Sequence, residues 1–452
     1  MSKQIVIIGA GVVGMTCARR LSADGHDVVM IERDGEKSRE ILDRLDIQVV
    51  TGNGCALPIL KEARLDSADL LLAVTDSDEV NMIASLIAGA SFDVPTKVIR
   101  LRHQDYLENL PDLTRIWSGQ THAINPDQVA ARRILSLIHV PEAVDVAELL
   151  GGRVLVAAFR IAAGSPLAGK TLRELPKMFP RYRFLIPVLY RAGKALLPGG
   201  ETAIEPGDIA YFSSEPESII NILRMMGRDV DHRPRLLIGG GGNIGRLIAR
   251  GSLERGHSTT ILHRNRQEAE KLAVELPDAF VIHGNILDEE MLAEAGIERT
   301  STFIAATNDQ ETNLLSAVLA KRMGCPRTIP LVDNATYLAV AEGMGVDAVV
   351  SPRLASVSEI LRFVRGTHFE EVASLPHEAV EISVVEVDQT SPLANRPLRE
   401  LALPEGVIFA AVATPDRVFV PGGDDVIPPG SRAVVFALAE ASEKLVSFVE
   451  DA

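Results

Sequence analysis

The sequence predicts an α/β protein built as a tandem repeat, in which each half has a parallel-sheet domain followed by a small α+β domain. Three observations lead to this prediction. Residues 5–14 read IVIIGAGVVG and are matched by LLIGGGGNIG at residues 236–245. After each match, short apolar runs alternate with helical segments, which is typical of βαβ units. A second pair of matching segments, SPLAG and SPLAN, begins at Ser165 and Ser391.

The repeat divides the chain into four segments. We expect a first parallel-sheet domain (N1) at residues 1–135 and a first small domain (C1) at residues 141–226. The corresponding segments of the second half are N2 at residues 234–365 and C2 at residues 372–452. Residues 227–235 are polar and are predicted to link the halves.

Composition excludes several classes of protein. The formal net charge is −15, and no run of Lys or Arg is present, so neither a nucleic-acid surface nor a direct lipid anchor is expected. Three widely spaced cysteines indicate neither a disulfide framework nor a zinc site, and they fit a reducing cytoplasm. No apolar run reaches the roughly 18 residues of a membrane span, and the N-terminus lacks a secretory signal pattern.

The N1 glycine motif predicts a dinucleotide site of the Rossmann type. Gly9 allows a tight turn, Gly11 lets a pyrophosphate approach the backbone, and Gly14 permits close packing of helix on strand. Val12 and Val13 begin the helix whose free N–H groups would bind phosphate. Glu32, at the end of the second strand, would accept hydrogen bonds from the adenosine ribose and repel a 2′-phosphate, which predicts NAD(H) rather than NADP(H).

The N2 motif keeps the three glycines but loses the acid. Gly240, Gly242, Asn243 and Gly245 match the N1 loop, whereas His263 stands where N1 has Glu32. Three interpretations therefore stay open for N2: an adenine nucleotide bound differently, a nucleotide with a 2′-phosphate, or an empty structural copy. The N2 ligand is left undecided at this point.

Catalytic groups are not evident, so we expect no enzyme, no catalytic residues and no metal site. A dehydrogenase needs an acid or base facing the nicotinamide, and the histidines show neither pairing nor metal-ligand spacing. Asp76 and Asp78 are interpreted as the cap and first-turn acid of a helix. The alternatives are an NAD-dependent oxidoreductase and a nucleotide sensor without a channel partner.

These motifs resemble the TrkA family, the cytoplasmic nucleotide-binding regulatory subunits of bacterial Trk potassium uptake systems. The resemblance rests on VIIGAGVVG, the block AVTDSDEVN at residues 73–81, AINP at residues 123–126, and the SPLAG and SPLAN segments. It covers nearly the whole chain, in the family's order of two RCK units, each a KTN part followed by a TrkA-C part.

The resemblance implies a regulatory rather than a catalytic role. It implies a homotetramer that forms a ring of eight RCK units beneath a membrane-embedded potassium-translocating subunit of the TrkH or TrkG type. The protein would then lie at the inner face of the membrane through that partner, and nucleotide, NAD(H) or else ATP or ADP, would gate ion flow. It further implies nucleotide contacts at Asn53, Cys55, Thr75 and Arg100 in N1 and at Thr307 in N2, besides the glycine loops.

Overall fold

A computed structural model of the chain describes residues 2–114, 119–180, 182–227, 234–361, 363, 369–374 and 380–450. The chain divides into two compact units. The first comprises Met1–Ala130 and Ser351–Arg365, and the second comprises Ala131–Val350 and Gly366–Ala452. The predicted linker at residues 227–235 lies mostly outside the described residues.

The first half contains an alternating β/α segment and then a segment rich in strands. The elements of N1 are β1 (Gln4–Ile8), α1 (Val12–Ala23), β2 (Asp27–Glu32), α2 (Gly35–Leu42), β3 (Gln48–Thr51), α3 (Leu57–Glu62), β4 (Leu70–Ala73), α4 (Asp78–Ser91), β5 (Thr96–Arg100), α5 (Gln104–Thr114), β6 (Gln120–Ile124) and α6 (Pro126–His139). The elements of C1 are β7 (Asp145–Leu149), β8 (Val154–Arg160), α7 (Leu175–Met178), β9 (Leu185–Arg191), β10 (Lys194–Leu196), β11 (Ile209–Ser214) and α8 (Ile219–Met225).

The second half repeats this order. The elements of N2 are β12 (Arg235–Gly239), α9 (Asn243–Glu254), β13 (Ser258–His263), α10 (Arg266–Glu275), β14 (Phe280–His283), α11 (Glu289–Glu294), β15 (Thr302–Ala305), α12 (Gln310–Arg322), β16 (Thr328–Pro330), α13 (Ala335–Ala341) and α14 (Pro352–Leu361). The elements of C2 are β17 (Phe369–Ser374), β18 (Val380–Val387), β19 (Val407–Ala413), β20 (Val418–Phe419), β21 (Ser431–Leu438) and α15 (Ala439–Glu450).

The two N domains are parallel sheets with the same strand order. N1 has six strands in the order β3-β2-β1-β4-β5-β6, and N2 has five in the order β14-β13-β12-β15-β16. Ile5, Val6 and Ile7 are fully buried, as a strand covered by helices on both faces requires. This order places a crevice between β1 and β4, where the chain reverses direction across the sheet, and ligands bind at such a switch point.

The two C domains are antiparallel sheets within the second unit, and they share a core. Their strand orders are β10-β9-β11-β8-β7 and β17-β18-β21-β19-β20. Val156 and Val188 of C1 lie in one buried cluster with Ile382 and Phe436 of C2. The Arg153 guanidinium donates to the Thr414 carbonyl over 2.8 Å, which adds a polar link. The predicted fold class, two Rossmann-like sheets each followed by a small α+β domain, is confirmed.

Helix α14 follows N2 in the chain but packs on N1. Val357, Ile360 and Leu361 belong to the same buried cluster as Ile5 and Cys17 of N1. The ring of Phe363, just beyond the helix, stacks on His122 of β6 with ring centroids 4.3 Å apart. The first Rossmann core is therefore completed by a segment that lies more than half the chain further on.

Candidate functional site

The glycine loop of N1 is tight where it packs and open where a ligand would approach. Gly9 has φ of 101°, a conformation that favours glycine, and a Cβ there would lie 3.0 Å from Cγ2 of Thr75. A Cβ on Gly14 would lie 2.0 Å from the Gly9 carbonyl oxygen, whereas nothing lies within 4 Å of one on Gly11. Helix α1 begins at Val12 without a side-chain cap. Its first N–H groups are thus suited to phosphate.

Glu32 is fixed against this loop by backbone hydrogen bonds. The Ala10 N–H donates to Oε2 over 2.9 Å, and the N–H groups of Arg33 and Asp34 donate to Oε1 over 2.9 and 3.1 Å. The residue is 9% exposed, so the carboxylate is held in one orientation beside the loop. Three of the carboxylate's roughly four acceptor positions are used in this way, and the position left on Oε2 can accept from a ribose hydroxyl.

The turn after β3 brings Asn53 and Cys55 close to this edge. The Gly52 N–H donates to the Glu32 carbonyl over 2.8 Å. The Asn53 side-chain oxygen accepts from the Cys55 N–H over 3.0 Å, which shapes the turn. Cys55 is partly buried, and burial raises the pKa of its thiol. Asn53 is exposed, and its side-chain oxygen orders the turn.

A buried asparagine organises the loop after β4. Asn81, fully buried, accepts from the Thr75 N–H over 2.9 Å and from the Thr75 hydroxyl over 2.7 Å. Its amide donates to the carbonyls of Thr75 and Arg100 over 3.1 and 2.8 Å. Three of these hydrogen bonds hold the Thr75 loop to α4, and the fourth ties α4 to the end of β5 at the carboxyl edge of the sheet. In the sequence Asn81 is the last residue of the block at residues 73–81, and its recurrence as Asn313 in N2 is the signal that could have revealed this role.

Arg100 is buried, and its partner is Asp76. The guanidinium donates to Oδ1 of Asp76 over 2.8 Å and to the Thr75 carbonyl over 3.2 Å. The Asp76 side chain is 95% exposed, and this hydrogen bond holds the pKa of its carboxyl below the usual range. The Nε atom of Arg100 is buried without a hydrogen-bond partner.

The interpretation of Asp76 as the cap of helix α4 is wrong. Ser77 caps this helix, accepting from the Val80 N–H over 3.2 Å. Asp78 is in the first turn, as expected, and its Oδ2 accepts from the N–H groups of Arg102 and His103, both over 2.8 Å. Asp76 and Ser77 are adjacent, and both are residue types that cap helices. Because Asp76 pairs with Arg100, Ser77 is the residue that caps α4.

The N2 loop repeats the N1 geometry. Gly240 has φ of 107°, and a Cβ on Gly245 would lie 2.0 Å from the Gly240 carbonyl oxygen. Around Gly242 the nearest atom to a Cβ is Oδ1 of Asn308, at 3.8 Å. Helix α9 begins at Asn243, again without a side-chain cap. The loop of the second domain therefore keeps the backbone conformation that receives phosphate.

Thr307 keeps the hydrogen bonds of its N1 counterpart, whereas His263 changes the chemistry of its position. Thr307 is bound by Asn313 as Thr75 is by Asn81: its N–H and hydroxyl donate to the Asn313 side-chain oxygen over 2.9 and 2.6 Å. His263 replaces the acid, and its Nδ1 accepts from the Gly241 N–H over 3.1 Å. Burial lowers the pKa of His263 below its usual range, so its ring is neutral at pH 7.

The structure thus brings the N1 positions named from the sequence to one edge of the N1 sheet, at the carboxyl ends of β3, β2, β1, β4 and β5. It does the same for the glycine loop, His263 and Thr307 of N2. Within the described part of the chain, no group of three or more His, Cys, Asp or Glu side chains is arranged to hold a metal ion. No helix among those residues has the length and apolarity needed to cross a bilayer.

The fold and its paired glycine loops define a class, the tandem regulatory units built from a nucleotide-binding domain and a small C-terminal domain. The TrkA-N domain model matches residues 5–126 and 236–352, and the TrkA-C domain model matches residues 156–227 and 382–449. The chain belongs to the TrkA family, whose members are components of Trk potassium uptake systems.

Full-length relatives agree with this assignment. The Trk system potassium uptake protein TrkA of Azorhizobium caulinodans is 36% identical over 444 residues, covering 97% of this chain and 96% of the relative. The protein of the same name from Vibrio alginolyticus is 33% identical over 453 residues, covering 99% and 98%.

Solved structures share the fold at lower identity. The GsuK channel bound to NAD has a TM-score of 0.62 and 19% identity, covering 100% of this chain and 80% of that chain. GsuK bound to ADP has a TM-score of 0.50 and 15% identity, covering 81% and 70%. At these identities the likeness concerns the fold.

Proposed function

We propose that this chain is the nucleotide-sensing regulatory subunit of a Trk-type potassium transporter, and that NAD(H) binding at N1 controls ion flow. The observation that carries the proposal is Glu32, held by three backbone N–H groups against an uncapped glycine loop. The GsuK structures with NAD and with ADP support a dinucleotide or an adenine nucleotide as ligand of this fold. ATP and ADP are the alternative ligands of N1.

The contacts proposed for N1 follow the Rossmann arrangement. The pyrophosphate would lie on Gly9, Gly11 and Gly14, with the N–H groups of Val12 and Val13 as donors. Glu32 would accept from the adenosine ribose, and its charge would repel a 2′-phosphate. Asn53, Cys55, Thr75 and Arg100 would border the rest of the nucleotide. In N2 the corresponding residues are Gly240, Gly242, Asn243, Gly245, His263 and Thr307.

The proposed role is binding without chemistry. The two halves are copies of one plan, so neither is a substrate domain added to a cofactor domain. Nucleotide would act by binding one conformation more tightly than another, because a ligand shifts an equilibrium only by that difference. A nearly complete switch needs about 5.5 kcal/mol of differential binding, which several equivalent sites in one assembly can share.

The proposed assembly is a homotetramer, a ring of eight RCK units at the inner face of the membrane. A membrane-embedded potassium-translocating subunit would hold it there. The family assignment supports this partner, since Trk uptake requires a path for the ion through the bilayer. Native mass spectrometry would give the subunit number, and co-purification would identify the partner.

Calorimetry on the full chain tests the proposal most directly. NADH, NADPH, ATP and ADP are titrated separately into the unmodified protein and into Glu32→Ala. We expect saturable NADH binding, NADPH binding weaker by about tenfold or more, and loss of that preference in the variant, since each charge-assisted hydrogen bond contributes about 1.5–3 kcal/mol.

Glu36→Ala is the matched control, because Glu36 is an exposed acid in the first turn of α2, the helix that follows Glu32. NADH absorbance at 340 nm is followed in parallel, and a constant signal is expected. Absence of binding by all four nucleotides would reject the sensing role. Steady NADH consumption with a substrate would instead make the chain an oxidoreductase.

A further inference from the structure

The two Rossmann loops are alike in backbone but differ in the side chain that closes them. In N1 the Ala10 N–H donates to the Glu32 carboxylate over 2.9 Å, and in N2 the Gly241 N–H donates to Nδ1 of His263 over 3.1 Å. Both side chains stand at the end of the second strand of their sheet and accept from the second residue of the loop. The same backbone bond is thus preserved with an uncharged acceptor.

This hydrogen bond fixes the tautomer of His263. A neutral imidazole has one acceptor nitrogen and one N–H, so a ring that accepts at Nδ1 carries its proton on Nε2. Glu32 presents acceptors and a negative charge to whatever occupies the ribose position. His263 presents a donor there. We therefore expect N1 to bind a ribose diol more tightly than a phosphate, and N2 to bind a phosphate more tightly than a diol.

The surroundings of His263 add positive charge. Arg264 follows it and is exposed, and His283 is its register partner on the neighbouring strand β14. The His283 ring nitrogen Nε2 lies 3.2 Å from the Arg264 carbonyl oxygen. Arg246 in the first turn of α9 also faces this ring, and the carboxylate that faces it is Glu268.

Glu268 does not supply a free negative charge to the ribose position. Its carboxylate is bound by Lys271 over 2.7 Å and by Arg246 over 3.1 Å. Arg246 in turn has a second acid, Glu275, at 3.6 Å. The exposed groups beside His263 are Arg264 and His283, and Arg264 also has the carboxylate of Asp309, the cap of α12, within electrostatic reach.

We propose that N2 binds an adenine nucleotide whose ribose carries a 2′-phosphate, with His263 and Arg264 as the residues that select it. The proposal rests on the proposed function, because it assumes that the N domains bind nucleotides. A phosphate is acceptor-only and doubly charged, so it matches a donor and a guanidinium, whereas the N1 carboxylate excludes it. The two halves of one chain would then bind two chemically distinct nucleotides.

Calorimetry with two small probes tests this selection in the full chain. Adenosine 2′,5′-bisphosphate and adenosine 5′-monophosphate differ only in the 2′-phosphate. Both are titrated in the presence of saturating NADH, which occupies N1. We expect the bisphosphate to bind one site per chain at least about tenfold more tightly than the monophosphate, a difference of about 1.4 kcal/mol.

Three variants locate the site. His263→Glu and Arg264→Ala are each expected to weaken bisphosphate binding about tenfold or more and to leave NADH binding unchanged. Arg266→Ala is the matched control, because Arg266 is two residues further on and pairs with Glu270 on the exposed side of α10. It removes the same charge and should leave bisphosphate binding unaltered. Circular dichroism and unfolding midpoints confirm that each variant is folded.

Each negative outcome has a distinct meaning. If NADH binds but the bisphosphate binds no more tightly than the monophosphate, the 2′-phosphate proposal is wrong and the N1 function stands. If Arg266→Ala weakens bisphosphate binding as much as Arg264→Ala does, the effect comes from the overall positive charge of this surface. That result would likewise overturn the assignment of His263 and Arg264. If neither NADH nor either probe binds, the proposed function itself fails.

Discussion

The buried guanidinium of Arg100 donates to the exposed carboxylate of Asp76 over 2.8 Å. The arginine at the edge of the N1 crevice is therefore already paired with an acid of the same domain. A nucleotide group carrying negative charge would compete for the same N–H groups. The carboxylate belongs to the loop after β4. Asp76 is therefore expected to oppose anionic ligands at this end of the site.

Asp76→Asn should tighten binding of ADP and ATP to the full chain by roughly two- to fivefold, because an ion pair with one exposed partner contributes about 0.2–1 kcal/mol. Since the pKa of Asp76 is lowered, the pair is present above the ordinary aspartate pKa and is lost only as pH falls through the lowered value. The gain should thus be the same at pH 6 and pH 8. Calorimetry at both values measures it.

Asp66→Asn provides the control, because it removes an equal charge from an exposed position of N1 at a 3-10 turn that precedes β4. It should leave the affinity unchanged. Arg100→Gln should weaken ADP and ATP. An Asp76→Asn protein that binds no better than the unmodified chain would show that the carboxylate does not compete with the ligand.

Asn81 and Asn313 are expected to be the costliest polar side chains to remove from the two N domains. Each makes four hydrogen bonds, three with the threonine of the loop before its helix and one with a carbonyl at the end of the neighbouring strand. Truncation to alanine leaves several of these backbone groups unpaired in a buried place, at about 1–3 kcal/mol for each unsatisfied group. Asn81→Ala and Asn313→Ala should each lower the urea midpoint, and the loss should exceed about 2 kcal/mol.

Asn109→Ala is the comparison for this pair, since Asn109 is exposed and its amide donates to the Asp105 carbonyl in its own helix. Its effect should stay within about 0.5 kcal/mol. Unfolding is followed by far-ultraviolet circular dichroism. Midpoints for Asn81→Ala and Asn313→Ala that match the one for Asn109→Ala would mean that water replaces the lost contacts.

Much of the fold, and part of the site, follows from local sequence signals. The apolar run at Ile5 and the glycines after it predict a buried strand and a phosphate loop because each depends on neighbours in the chain. The packing of α14 on N1 could not be predicted in this way. Its apolar stripe, including Val357 and Ile360, fits any complementary core, and the choice among cores is made by tertiary structure.

The same limit explains what was missed in the site. The sequence shows that His263 replaces the acid of N1, but only the folded structure shows that its Nδ1 accepts the backbone hydrogen bond that Glu32 accepts in N1. Asp76 was assigned to a helix cap because a local rule favours an acid there. The buried Arg100, distant in sequence, provides a stronger partner and overrides that rule.

The three thiols should react in an order set by burial. Cys17 is fully buried, and burial raises its pKa to about 12, while Cys325 is 1% exposed with a raised pKa. Cys55 is partly exposed at the turn after β3. Because the thiolate is the reactive form, iodoacetamide at pH 8 should label Cys55 slowly and leave the other two intact in the folded protein.

Peptide mass spectrometry reads the labelled positions, and labelling in urea should modify all three cysteines. Labelling of Cys55 should accelerate as pH rises, because its thiol then ionises. Saturating NADH should slow the reaction if the turn borders the ligand, whereas labelling of an unfolded control should not respond to NADH. Modification of Cys17 before Cys55 would contradict the burial order.

Arg327 links the N2 sheet to the end of helix α6 within the second unit. Its guanidinium donates to the carbonyls of Leu137 and Val140 over 2.7 and 3.3 Å and also to the carbonyl of Ala143. Burial lowers its pKa to about 10, so the group is still charged at pH 7–8. Three carbonyls at a helix terminus and the turn after it thus depend on one side chain.

Arg327→Met should lower the free energy of unfolding by about 2 kcal/mol or more. Truncation relieves the burial of a charge, but it leaves these carbonyls without donors at about 1–3 kcal/mol each, and the second effect is the larger. Arg327→Lys should recover part of the loss, because an ammonium cannot reproduce the fork that reaches all three. Arg322→Met, which removes an exposed guanidinium paired with Glu289, should change stability by less than about 0.5 kcal/mol. Urea titration of the four proteins decides the matter: equal midpoints for Arg327→Met and Arg322→Met would show that α6 is held by its apolar contacts alone.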